Sequence, residues 1–392
     1  MISLEQAFIH LAENKIPTNT EFVPLDSCLN RILACDITTD RDYPPFYRAA
    51  MDGFAVNSEW YNALEQKRMP NQGLCLAGKE YLKKIDLSKC LKITTGAAVP
   101  NGLDAIVRVE DSEADCDMVT FRGIKKIDAW TNISKLGEDI LKNRVILSKG
   151  TSLNPQNIQA LATIGLEQVS VAGLPKIGII TTGDEVRQLG EDLKEYQIRN
   201  SNLWSIKSSL ANLGYNTNFE AHCIDDQKII SDTIKKALEK CDVLLLCGGV
   251  SMGVADYVPK CLTENGIKEI FHKVAIKPGK PLWFGKNEQK AVFGLPGNPL
   301  STFLDLHIFA LNYLKQLQGG NPVEFVKAIL GNDQKIASID RFIPFYFENG
   351  EAISKTFNGS GDITALTNTN GFLFLDKDVE YKKKDSVKCL IF

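Results

Sequence analysis

Apolar positions change their period along this chain, and the changes divide it. Leu4, Ala7, Phe8 and Leu11 recur at helical spacing, which predicts an amphipathic opening helix. Residues 22–37 are short and mixed, and Tyr43-Pro44-Pro45-Phe46 breaks the run. From Ala49 to about Trp130 short apolar patches are split by glycine, proline and charge, the pattern of a small β-rich unit. A second helix is expected over 155–164, with Ile158, Leu161 and Ala162 inward and Gly165 as its stop. After Gly173 the pattern alternates. A strand over 176–180 leads to a helix capped by Asn200 or Ser201 that carries Leu203, Ile206, Leu210 and Leu213 and ends at Gly214. A helix over 226–240 follows, then strands over 243–247 and 291–295. Asn298 as cap and Pro299 at the first helical position open a last helix reaching Gln318. Strand and helix in alternation predict an open, largely parallel, doubly wound α/β sheet. Gly319-Gly320-Asn321-Pro322 marks a boundary, beyond which IPFYF (343–347) and GFLFL (371–375) read as strands of a small β domain. A chain of 392 residues exceeds one usual core, so two to four domains are expected.

In such a sheet, ligands sit beyond the carboxyl ends of the strands. Three segments leave those ends: Thr181-Thr182-Gly183-Asp184-Glu185, the stretch from Gly248 to Asp256, and the stretch from Gly294 to Pro299. The second carries Gly248, Gly249, Ser251, Gly253 and Asp256 directly after an aliphatic strand, an arrangement that brings backbone amides against an anion. Amides suit a phosphate, whereas Asp184, Glu185 and Asp256 repel one unless a divalent cation intervenes. Magnesium answers that conflict, because it binds carboxylates and phosphate oxygens together. The plain alternative is that Asp184 caps a turn and Glu185 faces solvent.

Lys273, Lys277 and Lys280 form a second group. Alternation would set Lys273 and Lys277 on one side of an extended segment, with Pro278-Gly279 turning Lys280 back. They fit a polyanionic ligand, and equally a solvated lysine face. Upstream, Asp52-Gly53, Thr94-Thr95-Gly96 and Gly137-Glu138-Asp139 read from composition as turn chemistry in the β unit. No dinucleotide GxGxxG or Walker loop occurs, which lowers the weight of those enzyme classes. The charge is nearly balanced at −3 with no dense basic block, so no nucleic-acid partner is expected. No stretch approaches the apolar length of a membrane span and none resembles a secretion signal, which makes a cytoplasmic location the default expectation. Ten cysteines without a CxxC pair and four scattered histidines give neither a disulfide framework nor a zinc pattern.

Taken in order, MDGFAV (51–56), TTGAAVP (94–100), GED (137–139), TTGDEV (181–186), RNSN (199–202), GGVSMGVADY (248–257), KVAIKPGKP (273–281), GLPGNP (294–299) and GSGD (359–362) resemble the MoeA family of molybdopterin molybdenumtransferases, known also from the E domain of gephyrin. The resemblance implies four domains. These are a helical/β linker domain (1–43 with 134–172), an inserted β domain (44–133), a MogA-like molybdopterin-binding α/β domain (173–320) and a C-terminal β barrel-like domain (321–392). It implies a homodimer whose cleft lies between the α/β domain of one subunit and the inserted domain of the other. The implied reaction joins molybdate to adenylylated molybdopterin with Mg²⁺-dependent release of AMP. A molybdopterin adenylyltransferase and downstream molybdoenzymes are the implied protein partners. Asp184, Glu185, Asp225 and Asp256 are similar to the family's acidic group, holding the cation and orienting water, with Asp52 and Asp139 shaping the molybdate end. Asp225 is chosen over Asp226 because Asp226 can cap the following helix. Thr95, Gly249, Ser251, Lys273, Lys277 and Lys280 would contact phosphate or oxyanion. Pro296, Asn298 and Pro299 would shape the pterin wall, with Ser360 at the cleft rim. The family often has a second arginine shortly after Arg341, and this chain has none. Two rival readings are a MogA-like ATP-dependent molybdopterin adenylyltransferase and a gephyrin-like scaffold.

Overall fold

The computed structural model describes residues 1–250 and 257–392, so Ser251, Gly253 and Asp256 lie outside the described residues. The chain forms two compact units, Asp36–Ser148 and Met1–Cys35 together with Lys149–Phe392. Among the described residues no helix is long and apolar enough to cross a membrane.

The unit Asp36–Ser148 is built on a six-stranded sheet with spatial order Ala105–Arg108, Gly53–Val56, Cys90–Ile93, Arg68–Cys75, Met118–Phe121, Ser112–Asp115. Gly53–Val56 is buried along its whole length because both faces of the sheet are covered. Phe54 and Val56 enter one cluster with Tyr61 and Phe121, while Ala55 enters another with Leu91 and Ile106. Alternation along a strand makes that division, so the apolar run reads as a central strand.

In the larger unit the opening helix Leu4–Glu13 has a capping box between Ser3 and Gln6 and buries Leu4, Ala7 and Leu11. Pro155–Thr163 forms the second helix and buries Leu161; Ala162, expected inward, is exposed. The central sheet consists of β1 (Ile177–Thr182), β2 (Thr217–Cys223), β3 (Val243–Cys247), β4 (Lys268–His272), β5 (Trp283–Lys286) and β6 (Ala291–Leu295), in the order β2-β1-β3-β6-β5-β4. The first four in this order are parallel, and β5 runs antiparallel to both of its neighbours, β6 and β4. The sheet is therefore mixed. Residues 287–290 between β5 and β6 close as a turn with the Asn287 amide and the Lys290 carbonyl 2.9 Å apart on one side, too short for the crossover that a parallel pair requires.

Helix α1 (Ser201–Asn212) is capped by Asn200, whose Oδ1 accepts from the Leu203 amide, and it buries Leu203, Ile206 and Leu210. Leu213 is the C-cap and is exposed, one position beyond the face it was expected to share. Helix α2 (Gln227–Lys240) is capped by Asp226, whose Oδ1 accepts from the Ile229 amide at 2.9 Å. Helix α3 (Pro299–Asp305) runs through a π turn, Leu306–Ala310, into the helix Leu311–Leu317. A second sheet follows the order Ile276–Lys277, Asp340–Glu348, Gly371–Leu375, Ser386–Ile391, Val326–Ile329. It begins with the lysine segment, where Lys277 pairs in register with Arg341.

Candidate functional site

Because β1, β3 and β6 are neighbours running the same way, the loops after Thr182, Cys247 and Leu295 leave one edge of the sheet together. They line a cavity of about 1630 Å³, which is walled on its other side by Arg341 and Phe342 of the second sheet and by Phe357 and Ser360 of the loop that leads to Gly371–Leu375. Gly248 stands at the centre of this edge with φ +97, a conformation L side chains rarely adopt. A Cβ there would lie 2.7 Å from Thr182 Oγ1 and 2.9 Å from the Thr182 carbonyl oxygen. The glycine is what lets the chain turn against β1. Thr182 Oγ1 is buried and has no hydrogen-bond partner among the described residues, an orphaned polar atom under the glycine pair.

A network of amides fixes the walls. Asn200, buried, donates from Nδ2 to Thr181 Oγ1 at 2.9 Å, and that oxygen in turn lies 3.0 Å from His222 Nδ1. Asn202 donates from Nδ2 to the Gly297 carbonyl at 2.7 Å and to Cys247 Sγ at 3.1 Å. Cys247 donates to the Pro296 carbonyl at 3.3 Å, and burial pushes its thiol up to about 11, so it stays protonated. Thr302 also donates to that carbonyl, at 2.5 Å. The segment Pro296-Gly297-Asn298 is thus held from three directions before α3 begins. Asn298 occupies the cap position but does not cap: its Nδ2 donates to Ser360 Oγ at 2.9 Å, and the Leu300 amide donates to the Ser360 carbonyl at 3.1 Å. The glycine-rich loop around Ser360 is pinned to the start of α3 by these two bonds.

The expected site residues separate into groups. Glu185, Asp225, Gly249, Lys277, Lys280, Pro296, Asn298, Pro299 and Ser360 line the cavity together. Asp184 is exposed and is not among the lining residues; its Oδ1 accepts from the Asp225 amide at 3.1 Å, which orients Asp225. Lys273 also leaves the lining. It has φ +72 and its amide donates to the Leu282 carbonyl, so the segment is turned rather than extended at that point, and the strand is only Ile276–Lys277. Lys273 and Lys277 therefore do not share one side as the alternation suggested. Asp52, Thr95 and Asp139 belong to the unit Asp36–Ser148. There Asp52 Oδ1 accepts from the Thr95 amide at 2.6 Å and its hydroxyl at 2.9 Å, and these bonds hold the Asp52 carboxyl below its ordinary range. Ser251 and Asp256 lie outside the described residues.

Asn200, Asn202 and Thr182 were not singled out as site residues from the sequence. The signal was present in Arg199-Asn200-Ser201-Asn202, two amides in the first turn of a helix that starts beside the glycine loops. Chemically the cavity offers ammonium and guanidinium groups at Lys277, Lys280 and Arg341, carboxylates at Glu185 and Asp225, and backbone at Gly249, while the Gly248 amide is already donated to the Leu295 carbonyl at 3.1 Å. Cations at one opening with carboxylates close by suit a phosphate-bearing ligand accompanied by a hard cation.

Residues 2–165 match a family model described as MoeA N-terminal region (domain I and II), and residues 178–316 one described as probable molybdopterin binding domain. A molybdopterin molybdenumtransferase of Haemophilus influenzae is 32% identical over 390 residues, covering 96% of this chain and 95% of that protein. One of Staphylococcus aureus is 32% identical over 366 residues, covering 90% and 86%. A crystal structure of the molybdopterin biosynthesis MoeA protein from Pyrococcus horikoshii OT3 superposes with a TM-score of 0.85 at 30% identity, covering 100% of both chains. With models spanning most of its length and relatives of that identity over nearly all of it, the chain belongs to the MoeA family and functions as a molybdopterin molybdenumtransferase.

Proposed function

We propose that the chain joins molybdate to the dithiolene of adenylylated molybdopterin and releases AMP by hydrolysis, with Mg²⁺ as the cation. The observation that carries this reading is the gathering of Glu185, Asp225, Lys277, Lys280, Arg341 and Gly249 around one cavity. The substrate has a phosphoanhydride to be bound and cleaved, and these are the groups that such a bond requires.

The donor set fits Mg²⁺. The cavity wall presents two carboxylates, Glu185 and Asp225, and Mg²⁺ commonly takes one or two carboxylates and completes its shell with phosphate oxygens and water. Glu185 and Asp225 would hold it, with Asp184 and Asp256 supplying further acidic oxygens. When bound, the cation would neutralise phosphate oxygens and acidify a water. The chain's own residues do the rest. Lys277 and Lys280 would bind phosphate oxygens, and Gly249 and Ser251 would add amide and hydroxyl donors. Asp225, whose backbone N–H donates to Asp184 Oδ1, would align the attacking water. Pro296, Asn298 and Pro299 would wall the pterin, with Ser360 at the rim; Lys273 would contribute positive charge at longer range.

The reading includes a homodimer, in which Asp52, Thr95 and Asp139 from a second protomer shape the molybdate end. It also includes the division into a linker domain, an inserted β domain, a MogA-like α/β domain and a C-terminal β domain. The test is direct. Purified chain is incubated with adenylylated molybdopterin, Mg²⁺ and molybdate, and AMP is followed by chromatography. Molybdate-dependent AMP release is expected. Consumption of ATP with free molybdopterin would instead identify an adenylyltransferase, and absence of any turnover would overturn the reading.

A further inference from the structure

Beneath the Lys277–Lys280 loop lies a carboxyl group that the reaction above does not use. Asp305, the last residue of α3, is fully buried, and neither of its oxygens has a hydrogen-bond partner among the described residues. It lies one helical turn after Ser301, which lines the cavity, so the two share a face of the helix. Its Oδ1 occupies the space under Gly279: a Cβ there would sit 2.1 Å from that oxygen, and Gly279 has φ +97. Gly279 itself is buried, whereas Lys277 and Lys280 on either side of it are exposed. The loop above the acid is poor in backbone donors. In Lys277-Pro278-Gly279-Lys280-Pro281 two of the five residues have no N–H.

We propose that Asp305 is a positioning residue for the phosphate-binding lysine loop, leaving the ammonium groups of Lys277 and Lys280 to the ligand while it is neutral and competing for them once it ionises. Burial raises its pKa well above the ordinary carboxylate range, so the neutral acid persists at a pH where other carboxylates are charged. Ionisation would set an uncompensated negative charge under Gly279, flanked in the chain by two exposed, flexible cations, and drawing one of them inward, away from the cavity, would relieve it. The other ionisable groups on the elements around it do not offer this relief. Asp340 and Arg341 stand on the strand paired with Ile276–Lys277, where Asp340 accepts from the Lys377 amide at 2.9 Å and the Arg341 guanidinium donates to the Lys335 carbonyl at 3.4 Å. Lys207 on α1 is paired with Glu220 at 2.7 Å. His307, two residues on, is lowered to about 4 by burial and stays neutral. Lys273 precedes the loop and has its own interaction.

This inference rests on the reading that Lys277 and Lys280 hold phosphate. The experiment measures AMP affinity of the full chain with Mg²⁺ by calorimetry from pH 6 to pH 9.5, for the natural sequence and for Asp305→Asn. Both should bind equally at the acid end. With rising pH the natural sequence should weaken relative to Asp305→Asn by about tenfold, the usual size of coupling between linked sites. KM for adenylylated molybdopterin should follow the same profile with kcat unchanged, a split that a merely structural role would not produce. Superimposed profiles, or a variant already weak at pH 6, would overturn the proposal. Asp305→Thr, neutral and smaller, serves if the Asn variant does not fold. If neither protein binds AMP at any pH, the phosphate reading of the cavity fails, and this inference with it.

Discussion

Asp225 and Asp226 are consecutive carboxylates with separate work. Asp226 spends its side chain on the Ile229 amide, and Asp225 lines the cavity with its amide tied to Asp184. Sequence reasoning could separate them because a capping residue has a recognisable place before a helix. Replacing Asp225 by Asn keeps the shape and removes a charge, so AMP release should fall by about 10²–10³-fold with the circular dichroism spectrum unchanged. Asp226→Asn retains a capping oxygen and should leave turnover within about twofold. Equal losses in the two variants would mean that the site is reading general acidity rather than Asp225. Gly248 gives a stability counterpart. Gly248→Ala must hold a Cβ at φ +97 while pressing it to within 2.9 Å of the Thr182 carbonyl oxygen. A loss of about 2 kcal/mol or more is expected in denaturant unfolding. Thr182 itself was illegible in the sequence, since nothing local distinguishes a hydroxyl that faces a glycine pair across two strands.

The helical run Pro299–Leu317 shows how much an element can add to its sequence pattern. Its start was legible: Asn298-Pro299 sets the cap and first turn. Its interior was not, because the π turn at Leu306–Ala310 leaves no local punctuation. Nor was the use of Asn298, whose side chain was expected to cap and instead holds Ser360. Long-range partners of this kind depend on a loop 62 residues away in sequence. Asn298→Ala should therefore loosen the Ser360 loop more than the helix, raising KM several-fold with a cost in stability near 1 kcal/mol. A large fall in melting temperature would show that the cap was the main role after all. His307, on the same run, lies 3.2 Å from Ser209 Oγ and stacks on Phe303 with ring centroids 4.2 Å apart. Burial lowers its pKa from 6.5 to about 4, so the fold binds the neutral ring. The stability from this group is present above the unfolded value and is lost as pH falls from about 6.5 towards about 4. At pH 5 the loss relative to pH 7 should be on the order of 2 kcal/mol. His307→Gln should flatten that slope in thermal melts; an unchanged slope would assign the acid sensitivity to other groups.

At the scale of the whole molecule, strand and helix alternation after Gly173 made the α/β class legible, and aliphatic runs located β3 and β6 to the residue. The antiparallel edge formed by β4 and β5 was harder, since it follows from connection lengths rather than from the strands themselves. The upstream β unit was legible as a β unit, while the chemistry of Asp52 was not, because turn residues and site residues have the same composition there. The structure gives Asp52 two donors from Thr95 that favour its charged form, which is a poor reason for a turn to be so elaborate and a good one for holding a fixed carboxylate. If Asp52 serves the site of a second protomer, the requirement is testable without any structure of the dimer. Asp52→Ala and Asp225→Asn should each be nearly inactive as pure proteins. In a randomly mixed population half the dimers would be hetero-dimers, each with one site free of both substitutions. Co-expression with two affinity tags should thus restore about a quarter of natural AMP release to the mixture, and about half to the doubly purified species. Recovery would require each protomer to lend its intact residue to the other's site. Mixed dimers as inactive as their parents would place Asp52 and Asp225 in the same protomer's site, and the shared cleft would have to be abandoned.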